Sequence, residues 1–300
     1  MRIGVIMGGI SSEREISLKS GEEVIKNLNR EKYEEIIPII INSKSEVMEK
    51  VRNIDFAFLA LHGKFGEDGK IQAVLETVDI PYSRCGVLTS AICMNKSLTK
   101  RLSKSVGIVT APWIAVKNIN DIDYSKIEDL GYPVFIKPNN GGSSVATFFV
   151  KNKYEVEHAV KEGLKYDNEI IIEKYIKGEE ITSFVLNGVV FPTVTIKAKN
   201  GEFFDYLSKY EPDGASEEVV MLEESLQNKV TEISKKLWSV LECKSYCRVD
   251  MIVSENVPYL LEVNTLPGMT ATSLIPKSAM AKGINFSHLL DKIIEYSLES

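Results

Sequence analysis

The sequence predicts an α/β protein with an N-terminal parallel sheet and an α+β C-terminal part. Apolar runs at residues 3–7, 35–41 and 54–61 alternate with glycine turns and helical patterns, which is typical of parallel βα units. Farther along the chain, residues 247–253 and 259–265 are strand-like runs joined by a short polar turn, as in an antiparallel hairpin. The first pattern predicts the parallel sheet, and the second predicts the α+β part.

Composition places the chain among ordinary globular proteins. With 300 residues, 44% of them hydrophobic and 26% charged, it can form a sizeable core and two or three domains. The net charge of −6 and the lack of a long basic tract give no reason to expect nucleic acid as a partner. No apolar run approaches the roughly 18 residues that span a bilayer, and the N-terminal run is too short for a signal peptide. We therefore expect no membrane partner and a cytoplasmic location.

The four cysteines, Cys85, Cys93, Cys243 and Cys247, form no Cys-x-x-Cys pair. Because the chain has only three histidines, a zinc site is not expected. We interpret the cysteines as small apolar residues in a reducing compartment.

The first strand, residues 3–7, leads through a Gly-Gly turn into a helix, where Ser12 and Glu15 match a capping box. A helix N-terminus after a glycine turn is a natural site for an anion or a small ligand. The turn is not a GxGxxG, and Glu13 disfavours a pyrophosphate but suits an ammonium group. Glu13 is equally well explained as a first-turn acid that complements the helix dipole.

His62 follows the strand at 54–61 and opens a loop with three glycines, before a helix at 69–78. Ligands of parallel α/β sheets gather at the carboxyl ends of the strands, and His62 lies at such an end. A structural role and a functional role for His62 both remain open.

A loop that suits phosphate follows a lysine-ended strand. Residues 131–138 form a short strand that places Lys137 near its end, and residues 139–145 are rich in amide, hydroxyl and glycine. Backbone N–H groups and hydroxyls of such a loop donate to oxyanions. The lysine precedes the glycines, so this is no Walker A loop. An ordinary hairpin loop is the alternative. Before it, a helical stretch at 91–106 carries Lys96.

Between this loop and the hairpin, strands at 169–176 and 181–185 flank a linker whose apolar atoms and acids suit an adenine edge and ribose hydroxyls. The polar stretch 205–216 is interpreted as a mobile lid. Further predicted elements are helices at 154–165, 224–241 and 286–298 and strands at 189–196 and 202–206.

Charged side chains share one face of the predicted hairpin. If the hairpin is centred near Asn256, Asp250 lies opposite Glu262 and Arg248 lies opposite Asn264. Two close carboxylates repel each other unless a cation lies between them, and oxygen ligands favour Mg²⁺ held together with phosphate. A solvated surface hairpin is the alternative. The loop after Asn264 has glycine, hydroxyls and backbone N–H groups that suit a carboxylate.

These pieces together resemble the D-alanine–D-alanine ligases of the ATP-grasp superfamily, nearly end to end. Each motif is a weak signal alone, but their order and spacing are specific. The motifs are Gly8-Gly9, Ser-Ser-Glu-Arg-Glu-Ile-Ser (11–17), Leu-His-Gly (61–63), Gly-Glu-Asp-Gly (66–69), Met-Asn-Lys (94–96), Ile-Lys-Pro (136–138), Gly-Ser-Ser-Val (142–145), Ile-Glu-Lys-Tyr-Ile (172–176), Lys-Tyr (209–210), Arg-Val-Asp (248–250) and Glu-Val-Asn-Thr-Leu-Pro-Gly-Met-Thr (262–270).

The resemblance implies a three-domain ATP-grasp fold. Its expected domains are residues 1–95 on the side of the first substrate, 96–177 as the central ATP-grasp domain and 178–300 with the metal and oxyanion site. The implied reaction joins two D-alanine molecules through an acyl-phosphate to give D-alanyl-D-alanine, ADP and phosphate. The implied setting is peptidoglycan precursor synthesis by a cytoplasmic homodimer.

The resemblance also implies cofactor sites. Two Mg²⁺ ions, for which Mn²⁺ can substitute, would be held by Asp250, Glu262 and Asn264. The implied ATP-binding residues are Lys96, Lys137, Ser143, Glu173, Lys174, Tyr175, Ile176, Glu180 and Lys209. Of these, the three lysines at 96, 137 and 209 would clamp phosphates, and Glu180 would accept from the ribose hydroxyls.

Substrate and transition-state roles follow from the same resemblance. Arg248 and the Gly268 N–H would form the oxyanion hole. Glu13 would bind the ammonium group of the first D-alanine, and His62 would approach its carboxylate. Ser273 and the Leu274 backbone would hold the carboxylate of the second, while Ser143 and Tyr210 would join Glu13 in a hydrogen-bonded set.

Three departures from the family pattern stand out: Asn95 in place of Asp, Ala146 in place of Gly, and Arg84-Cys85 in a turn that often contains glycine. None falls on a metal or oxyanion position. Asn95 removes one charge beside Lys96 and could alter how that lysine is oriented.

Two other functions compete. A ligase of the same fold could join D-alanine to D-serine or D-lactate. A neutral Tyr210 favours an amine acceptor, because a charged histidine there would disfavour an ammonium group; one extra hydroxyl on the acceptor is harder to exclude. A nucleotide-binding protein without catalysis is the second rival, and Arg248 argues against it because binding alone needs no oxyanion hole.

Overall fold

The computed structural model describes residues 1–83, 85–198 and 215–299, which form three sheets and their helices. The N-terminal sheet is parallel, in the order β2-β1-β3, as the sequence predicts. Its strands are β1 (Arg2–Gly8), β2 (Glu35–Ile41) and β3 (Phe56–Leu59). Helix α1 (Arg14–Asn27) follows β1 across the Gly-Gly turn, and this connection brings Glu13 to the carboxyl edge of the sheet.

The helices after β2 and β3 are α2 (Val47–Lys50), α3 (Lys70–Thr77), α4 (Val87–Met94) and α5 (Lys96–Ser105). The single helix predicted at 91–106 is therefore wrong, because the chain breaks at Asn95. Asn95 has an extended backbone, and its side chain accepts a hydrogen bond of 2.9 Å from the Leu98 N–H. Asn and Asp are both strong N-caps, so the departure at this position keeps the cap of the helix that starts at Lys96.

The central sheet is antiparallel, in the order β4-β7-β5-β6. Its strands are β4 (Trp113–Val116), β5 (Val134–Pro138), β6 (Phe148–Val150) and β7 (Ile170–Lys174), and its helices are α6 (Tyr124–Leu130) and α7 (Val156–Gly163). The predicted loop 139–145 joins β5 to β6. Short 3₁₀ turns lie at Lys44–Glu46, Ile119–Asp121 and Lys153–Glu155.

The C-terminal sheet runs in the order β11-β10-β8-β12-β13, with β9 paired to β8. Its strands are β8 (Glu179–Leu186), β9 (Val189–Val190), β10 (Val194–Ala198), β11 (Ala215–Val219), β12 (Tyr246–Ser254) and β13 (Val257–Asn264). The strand predicted at 189–196 is two strands, because Pro192 lies between them and cannot donate to a ladder. The strand predicted at 202–206 lies outside the described residues.

The C-terminal helices are α8 (Glu224–Val240), α9 (Leu274–Ala281) and α10 (Phe286–Leu298). The sequence predicts α8 and α10 nearly to the residue, whereas α9 is not predicted. In the ranges that the structure describes, no helix is both long and apolar enough to cross a membrane.

Packing joins the two ends of the chain and leaves the centre with a core of its own. One core combines Phe58 of the N-terminal sheet with Phe184 and Tyr246 of the C-terminal sheet. The central sheet and its helices close around a separate core that includes Ile136 and Ile172. The expected domain boundaries at 95 and 177 stay a prediction. Helix α5, which begins just after the first of them, packs on the C-terminal sheet through its partly buried Leu102.

Candidate active site

A cavity of about 650 Å³ collects most of the predicted site residues. From the N-terminal half and the last loop, its lining includes Glu13, His62, Lys96, Ser143, Ser273 and Leu274. From the C-terminal sheet and the loop after it, the lining includes Glu180, Arg248, Asp250, Glu262, Asn264 and Gly268. Residues that are far apart in sequence and were singled out separately therefore meet around one space.

The charged face of the hairpin has the predicted register, but for a reason that the sequence does not reveal. Asp250 pairs with Glu262 and Arg248 with Asn264, which confirms the prediction. The turn, however, closes on Ser254 and Val257, a register that alone would put Asp250 opposite Leu261. A β-bulge at Leu261 adds one residue to β13 and brings Glu262 opposite Asp250.

Arg248 is fixed by Asp250 in a two-pronged contact. Its Nε donates to Asp250 Oδ1 at 2.9 Å and its Nη2 to Oδ2 at 2.6 Å. Burial disfavours the Arg248 cation, but the charge and hydrogen bonds of Asp250 outweigh burial and raise the pKa of Arg248 above its ordinary value. A guanidinium has five N–H donors, so it can hold Asp250 and still donate to an anion in the cavity.

Asp250 is the centre of a polar network. Its Oδ1 also accepts from Thr182 Oγ1 at 2.6 Å, and its Oδ2 accepts from Asn264 Nδ2 at 2.8 Å. Thr182 belongs to the neighbouring strand β8 and was not predicted. The carboxylate is 4% exposed, so these contacts fix its orientation toward Glu262 and Asn264.

The donor set of this face fits Mg²⁺. Asp250 and Glu262 are directly opposite, and Asn264 adds an amide oxygen on the same face. Among the described residues, no group of three or more His, Cys, Asp or Glu side chains is arranged to hold a metal ion. Mg²⁺ is ordinarily held by one or two carboxylates together with substrate phosphates, so two carboxylates and an amide suit a nucleotide-bound ion.

Lys96 lies where the phosphate loop meets the hairpin. Its Nζ donates to the carbonyl of Gly141 and lies 3.6 Å from Glu262 Oε2. The side chain is only 9% exposed, so its charge is directed into the cavity wall and toward the carboxylate face.

Glu13 and Ser143 join the N-terminal helix to the phosphate loop. Ser143 Oγ donates to Glu13 Oε2, as the predicted hydrogen-bonded set requires. The capping box at Ser12 and Glu15 is wrong, because Glu13 takes the N-cap position and no side chain caps the helix. Ser11 instead accepts from the Glu13 N–H at 3.1 Å and donates to the His62 carbonyl at 2.7 Å, which fixes this corner.

His62 is held from both sides of its ring. Nδ1 lies 3.1 Å from the Leu266 carbonyl, and Nε2 lies 3.0 Å from Ser20 Oγ. A carbonyl only accepts, so Nδ1 carries a proton and donates to the Leu266 carbonyl. His62 is 6% exposed, and its ring is fixed at the cavity edge.

Lys137 and Glu173 lie in a buried charge cluster. Lys137 Nζ is 2.6 Å from Glu173 Oε2, and Lys100 Nζ contacts the other oxygen. Among the described residues, neither Lys137 nor Glu173 lines the 650 Å³ cavity. The Glu173 carboxylate therefore pairs with the two lysines. Only the backbone of Glu173 is left for the predicted contact with adenine. No pattern in the sequence distinguishes Lys100 from the other lysines of α5.

The remaining predicted adenine residues lie at the end of β7 and just beyond it. The Tyr175 ring contacts Phe135 and Phe149 edge-on, with ring centroids 5.7 and 5.2 Å apart. Lys174 ends β7, and Ile176 follows Tyr175 toward β8. The Tyr175 ring therefore packs on the aromatic face of the central sheet, which carries Phe135 and Phe149, whereas Lys174 pairs with Val134 of the core.

The loop after Asn264 folds back on itself. Ser273 Oγ accepts from the Thr270 N–H at 3.1 Å and lies 2.8 Å from Thr270 Oγ1. Ser273 occupies the N-cap position of α9, but its side chain does not cap the helix. The Leu274 N–H starts that helix, so the predicted carboxylate subsite is a helix N-terminus.

Several cavity residues were not predicted, and two of them form an ion pair. Glu217 of β11 and Lys277 of α9 line the cavity and form an ion pair of 2.7 Å. Lys277 is one helical turn after Ser273, a spacing that would have identified it had α9 been predicted. No pattern in the sequence marks Glu217.

Lys209, Tyr210 and most of the predicted lid at 205–216 lie outside the described residues, as does Arg84. The four cysteines are buried and share one core. Burial raises the pKa of the Cys93 thiol well above its ordinary value, so this thiol stays protonated.

Comparisons with known proteins agree with this geometry. The profile described as "D-ala D-ala ligase C-terminus" matches residues 102–295, and that of "D-ala D-ala ligase N-terminus" matches 2–50 and 42–85. The D-alanine–D-alanine ligase of Clostridium botulinum (strain Loch Maree) is 60% identical over 299 residues, covering 100% of this chain and 99% of its own. D-alanine–D-alanine ligase B of Clostridium perfringens is 58% identical over 299 residues, covering 99% and 98%.

Solved structures agree as well. The D-alanine–D-alanine ligase of Bacillus anthracis complexed with ATP superposes with a TM-score of 0.91 at 45% identity, covering 100% of this chain and 98% of that one. The VanG D-Ala:D-Ser ligase of Enterococcus faecalis superposes with a TM-score of 0.86 at 30% identity, covering 99% of both chains. With this likeness along its whole length, the chain belongs to the D-alanine–D-alanine ligase family, and its fold is ATP-grasp.

Proposed function

We propose that this protein is an ATP-dependent ligase that joins two D-alanine molecules into D-alanyl-D-alanine, with ADP and phosphate as the other products. The observation that carries the proposal is the Arg248–Asp250–Glu262–Asn264 face, which the bulge at Leu261 aligns and which lines the cavity beside Lys96. The family relationship supports the same reaction. Its product serves peptidoglycan precursor synthesis and thereby cell wall biogenesis and cell shape.

The first half-reaction activates a carboxylate. An oxygen of the first D-alanine's carboxylate attacks the γ-phosphorus of ATP, the bond to the bridging oxygen breaks, and ADP leaves. Lys96 and Lys137 bind the phosphate oxygens, and Glu173 with buried Lys100 keeps Lys137 in position. Such fixed cations stabilise the charge that spreads over the transferred group.

Asp250, Glu262 and Asn264 would hold Mg²⁺, and Mn²⁺ would fit the same oxygen set. When bound, the metal neutralises phosphate charge and orients the nucleotide. Arg248 and Asn264 orient the Asp250 carboxylate through its hydrogen bonds of 2.6–2.9 Å.

The second half-reaction forms the peptide bond. The amine of the second D-alanine, once deprotonated, attacks the acyl-phosphate carbon, and phosphate leaves from the tetrahedral intermediate. Arg248 and the Gly268 N–H donate to the oxyanion of that intermediate. These donors stabilise charge that develops only in the transition state, which lowers the barrier.

Residues at the edges of the cavity orient the substrates. Glu13, fixed by Ser143, binds the ammonium group of the first D-alanine, and His62 approaches its carboxylate. Ser273 and the Leu274 N–H bind the carboxylate of the second D-alanine at the start of α9. Glu180, Lys174, Tyr175, Ile176 and the backbone of Glu173 bind the nucleoside, and Lys209 and Tyr210 complete the set.

D-Serine is the competing acceptor, since VanG, with 30% identity, is a D-Ala:D-Ser ligase. Identity to the Bacillus anthracis D-alanine–D-alanine ligase is higher, at 45%, and favours D-alanine.

Further parts of the proposal are a cytoplasmic location, a homodimer, and domains at 1–95, 96–177 and 178–300.

The test is D-alanine-dependent phosphate release from ATP with Mg²⁺ present, with D-alanine, D-serine and D-lactate compared as acceptors. We expect release with D-alanine and a dipeptide product by mass spectrometry. Tight ATP binding without phosphate release for any of the D-amino acids would contradict the proposed ligase activity.

Glu262→Gln tests the metal-binding face. Removing one carboxylate weakens metal binding, so we expect turnover to fall by orders of magnitude. Glu255→Gln, an exposed change in the turn of the same hairpin, is the matched control and should leave turnover unchanged. Full activity of Glu262→Gln would refute the assigned role.

A further inference from the structure

The Lys277–Glu217 ion pair places a cation in the cavity that the proposed reaction has not used. Lys277 Nζ lies 2.7 Å from Glu217 Oε2, and both side chains are partly buried, at 35% and 25% exposure. Both line the cavity together with Ser273 and Leu274. The pair therefore belongs to the wall at which the second substrate enters the proposed reaction.

Geometry directs Lys277 to the same subsite as Ser273. Residues four apart on a helix lie on one face, and the Lys277 N–H donates to the Ser273 carbonyl at 3.1 Å. A carboxylate at the Leu274 N–H would thus lie at the N-terminus of a helix whose next turn carries a lysine. Both features stabilise negative charge.

Glu217 faces the same space from the sheet. In the register of β10 and β11 it pairs with Ile196, which in turn pairs with Glu180 of β8, and all three line the cavity. Glu217 thus lies across the cavity wall from α9, and its carboxylate forms an ion pair with the Lys277 ammonium group. A substrate carboxylate that contacts Lys277 has to compete with it.

We propose that Lys277 binds the carboxylate of the second amino acid and that Glu217 competes for Lys277, which together set the affinity of the acceptor site. This inference rests on the proposed function. It makes Lys277 an acceptor-binding residue beside Ser273, and it makes Glu217 the carboxylate that weakens acceptor binding.

The two substitutions are expected to act in opposite directions. Lys277→Met removes a charge-assisted hydrogen bond, so the KM of the acceptor D-alanine should rise on the order of ten- to hundredfold. Glu217→Gln removes the competing carboxylate, so the same KM should fall severalfold. The KM values of ATP and of the donor D-alanine should stay within twofold in both variants. Initial-rate analysis of phosphate release against D-alanine concentration separates the two amino-acid constants.

A second measurement does not depend on overall activity. D-Alaninamide lacks the carboxylate, so its binding gains nothing from Lys277. With D-alanine and D-alaninamide present together, mass spectrometry gives the ratio of the two products. Lys277→Met should shift that ratio toward D-alanyl-D-alaninamide by about tenfold or more. A role of Lys277 in stability alone would lower both products and leave the ratio unchanged.

Lys236→Met and Glu232→Gln are matched controls, because Lys236 and Glu232 form an exposed pair of 2.7 Å on α8. Exposed pairs contribute little, and both controls should keep all constants and the product ratio.

An equal rise of the acceptor KM in Lys277→Met and Glu217→Gln would overturn the proposal, since that is the result of a merely structural pair. A rise confined to the KM of ATP would also overturn it, because Lys277 would then bind phosphate. Failure of this inference can be distinguished from failure of the proposed function. In the second case the unsubstituted protein would show no D-alanine-dependent release of phosphate.

Discussion

At the residue scale, the most unusual feature is a carboxylate buried between two lysines. Glu173 contacts Lys100 and Lys137, and Lys100 also donates to Thr110 Oγ1 at 2.6 Å and the Ala111 carbonyl at 3.3 Å. Thr110 donates onward to the Leu260 carbonyl of β13 at 2.9 Å. The cluster therefore connects the central sheet to the hairpin that carries the proposed catalytic face.

The pKa of Glu173 makes this cluster sensitive to acid. Burial alone would raise the pKa of Glu173, but Lys100 and Lys137 outweigh burial and lower it from 4.5 to about 2. Because the pKa is lower in the folded state than in the unfolded chain, the stabilisation is complete above pH 4.5 and is lost as pH falls through about 2.

We therefore expect the free energy of unfolding to fall between pH 4.5 and pH 2, and Glu173→Gln to flatten that part of the profile. At pH 7 the same variant should lose roughly 3–5 kcal/mol, since it leaves two buried ammonium groups without their carboxylate. Urea unfolding at a series of pH values measures both effects. The exposed Glu255→Gln should change neither, and an unaltered acid slope in Glu173→Gln would contradict the assignment.

Ala146 has a strained backbone conformation that glycine would adopt without strain. Its φ is +54°, and Ser143 and Ser144 beside it are also left-handed, at +53° and +57°. An L-residue with a Cβ is disfavoured in this region by roughly 1–2 kcal/mol, a cost that the glycine of the resembled pattern would not have.

Ala146→Gly should therefore stabilise the protein by up to about 1 kcal/mol, the relief being partly offset by the greater freedom of the unfolded chain. Denaturant unfolding checks this. Ala159→Gly, in the buried face of α7, is the control with the opposite sign and should destabilise by about 0.5–1 kcal/mol. Loss of stability in Ala146→Gly would show that the positive φ carries no strain.

At the scale of elements, the β12–β13 hairpin combines a tight turn with a bulge. Glu255 and Asn256 have φ of +49° and +60°, as two-residue hairpin turns require. This turn sets one register, and the bulge at Leu261 changes it before the strands reach Asp250 and Glu262. The turn can thus be altered without moving the site.

Glu255→Asn is expected to stabilise the protein by about 0.5–1 kcal/mol, because Asn tolerates positive φ better than Glu. Glu255→Ala retains the same steric cost and serves as the control without a gain. Thermal unfolding measures stability, and phosphate release should be unchanged in both variants. A loss of turnover in Glu255→Asn would mean that the turn and the catalytic register are coupled.

At the scale of the whole molecule, the separate core of the central sheet is the decisive feature. The N- and C-terminal sheets share buried residues, while the central sheet packs around its own. The central sheet meets the rest through polar contacts such as Lys100–Glu173 and Ser143–Glu13. A nucleotide held by Lys137 on one side and Asp250 and Glu262 on the other would bridge the two parts.

Mg²⁺ with ATP should therefore raise the unfolding temperature. At about 100 times its Kd a ligand contributes about 2.7 kcal/mol. Removal of Mg²⁺ with a chelator should cancel most of the rise, as should Glu262→Gln, whereas Glu255→Gln should keep it. Differential scanning fluorimetry with and without the chelator measures the effect. An equal shift in the chelated protein would exclude a metal-dependent bridge.

The sequence alone determined the parallel N-terminal sheet and the two strands and turn of the hairpin, because periodicity and turn chemistry are local properties. It did not determine the bulge at Leu261 that brings Glu262 opposite Asp250. The strand at 35–41 and the helix at 286–298 match the structure residue for residue. The prediction from sequence is wrong at Ser12, where tertiary contacts of Ser11 replace the predicted cap. It is also wrong at Asn95, where a side-chain cap divides one predicted helix into two.

Tertiary structure alone decided what depends on residues far apart in the chain. The Lys100–Glu173 contact joins helix α5 to the central sheet, and the Glu217–Lys277 pair joins an edge strand to a helix that no pattern predicts. Charge pairing of this kind depends on burial and distance, which a linear pattern does not encode. The sequence therefore specified which groups perform the chemistry, and the fold determined which of them are held together and which compete.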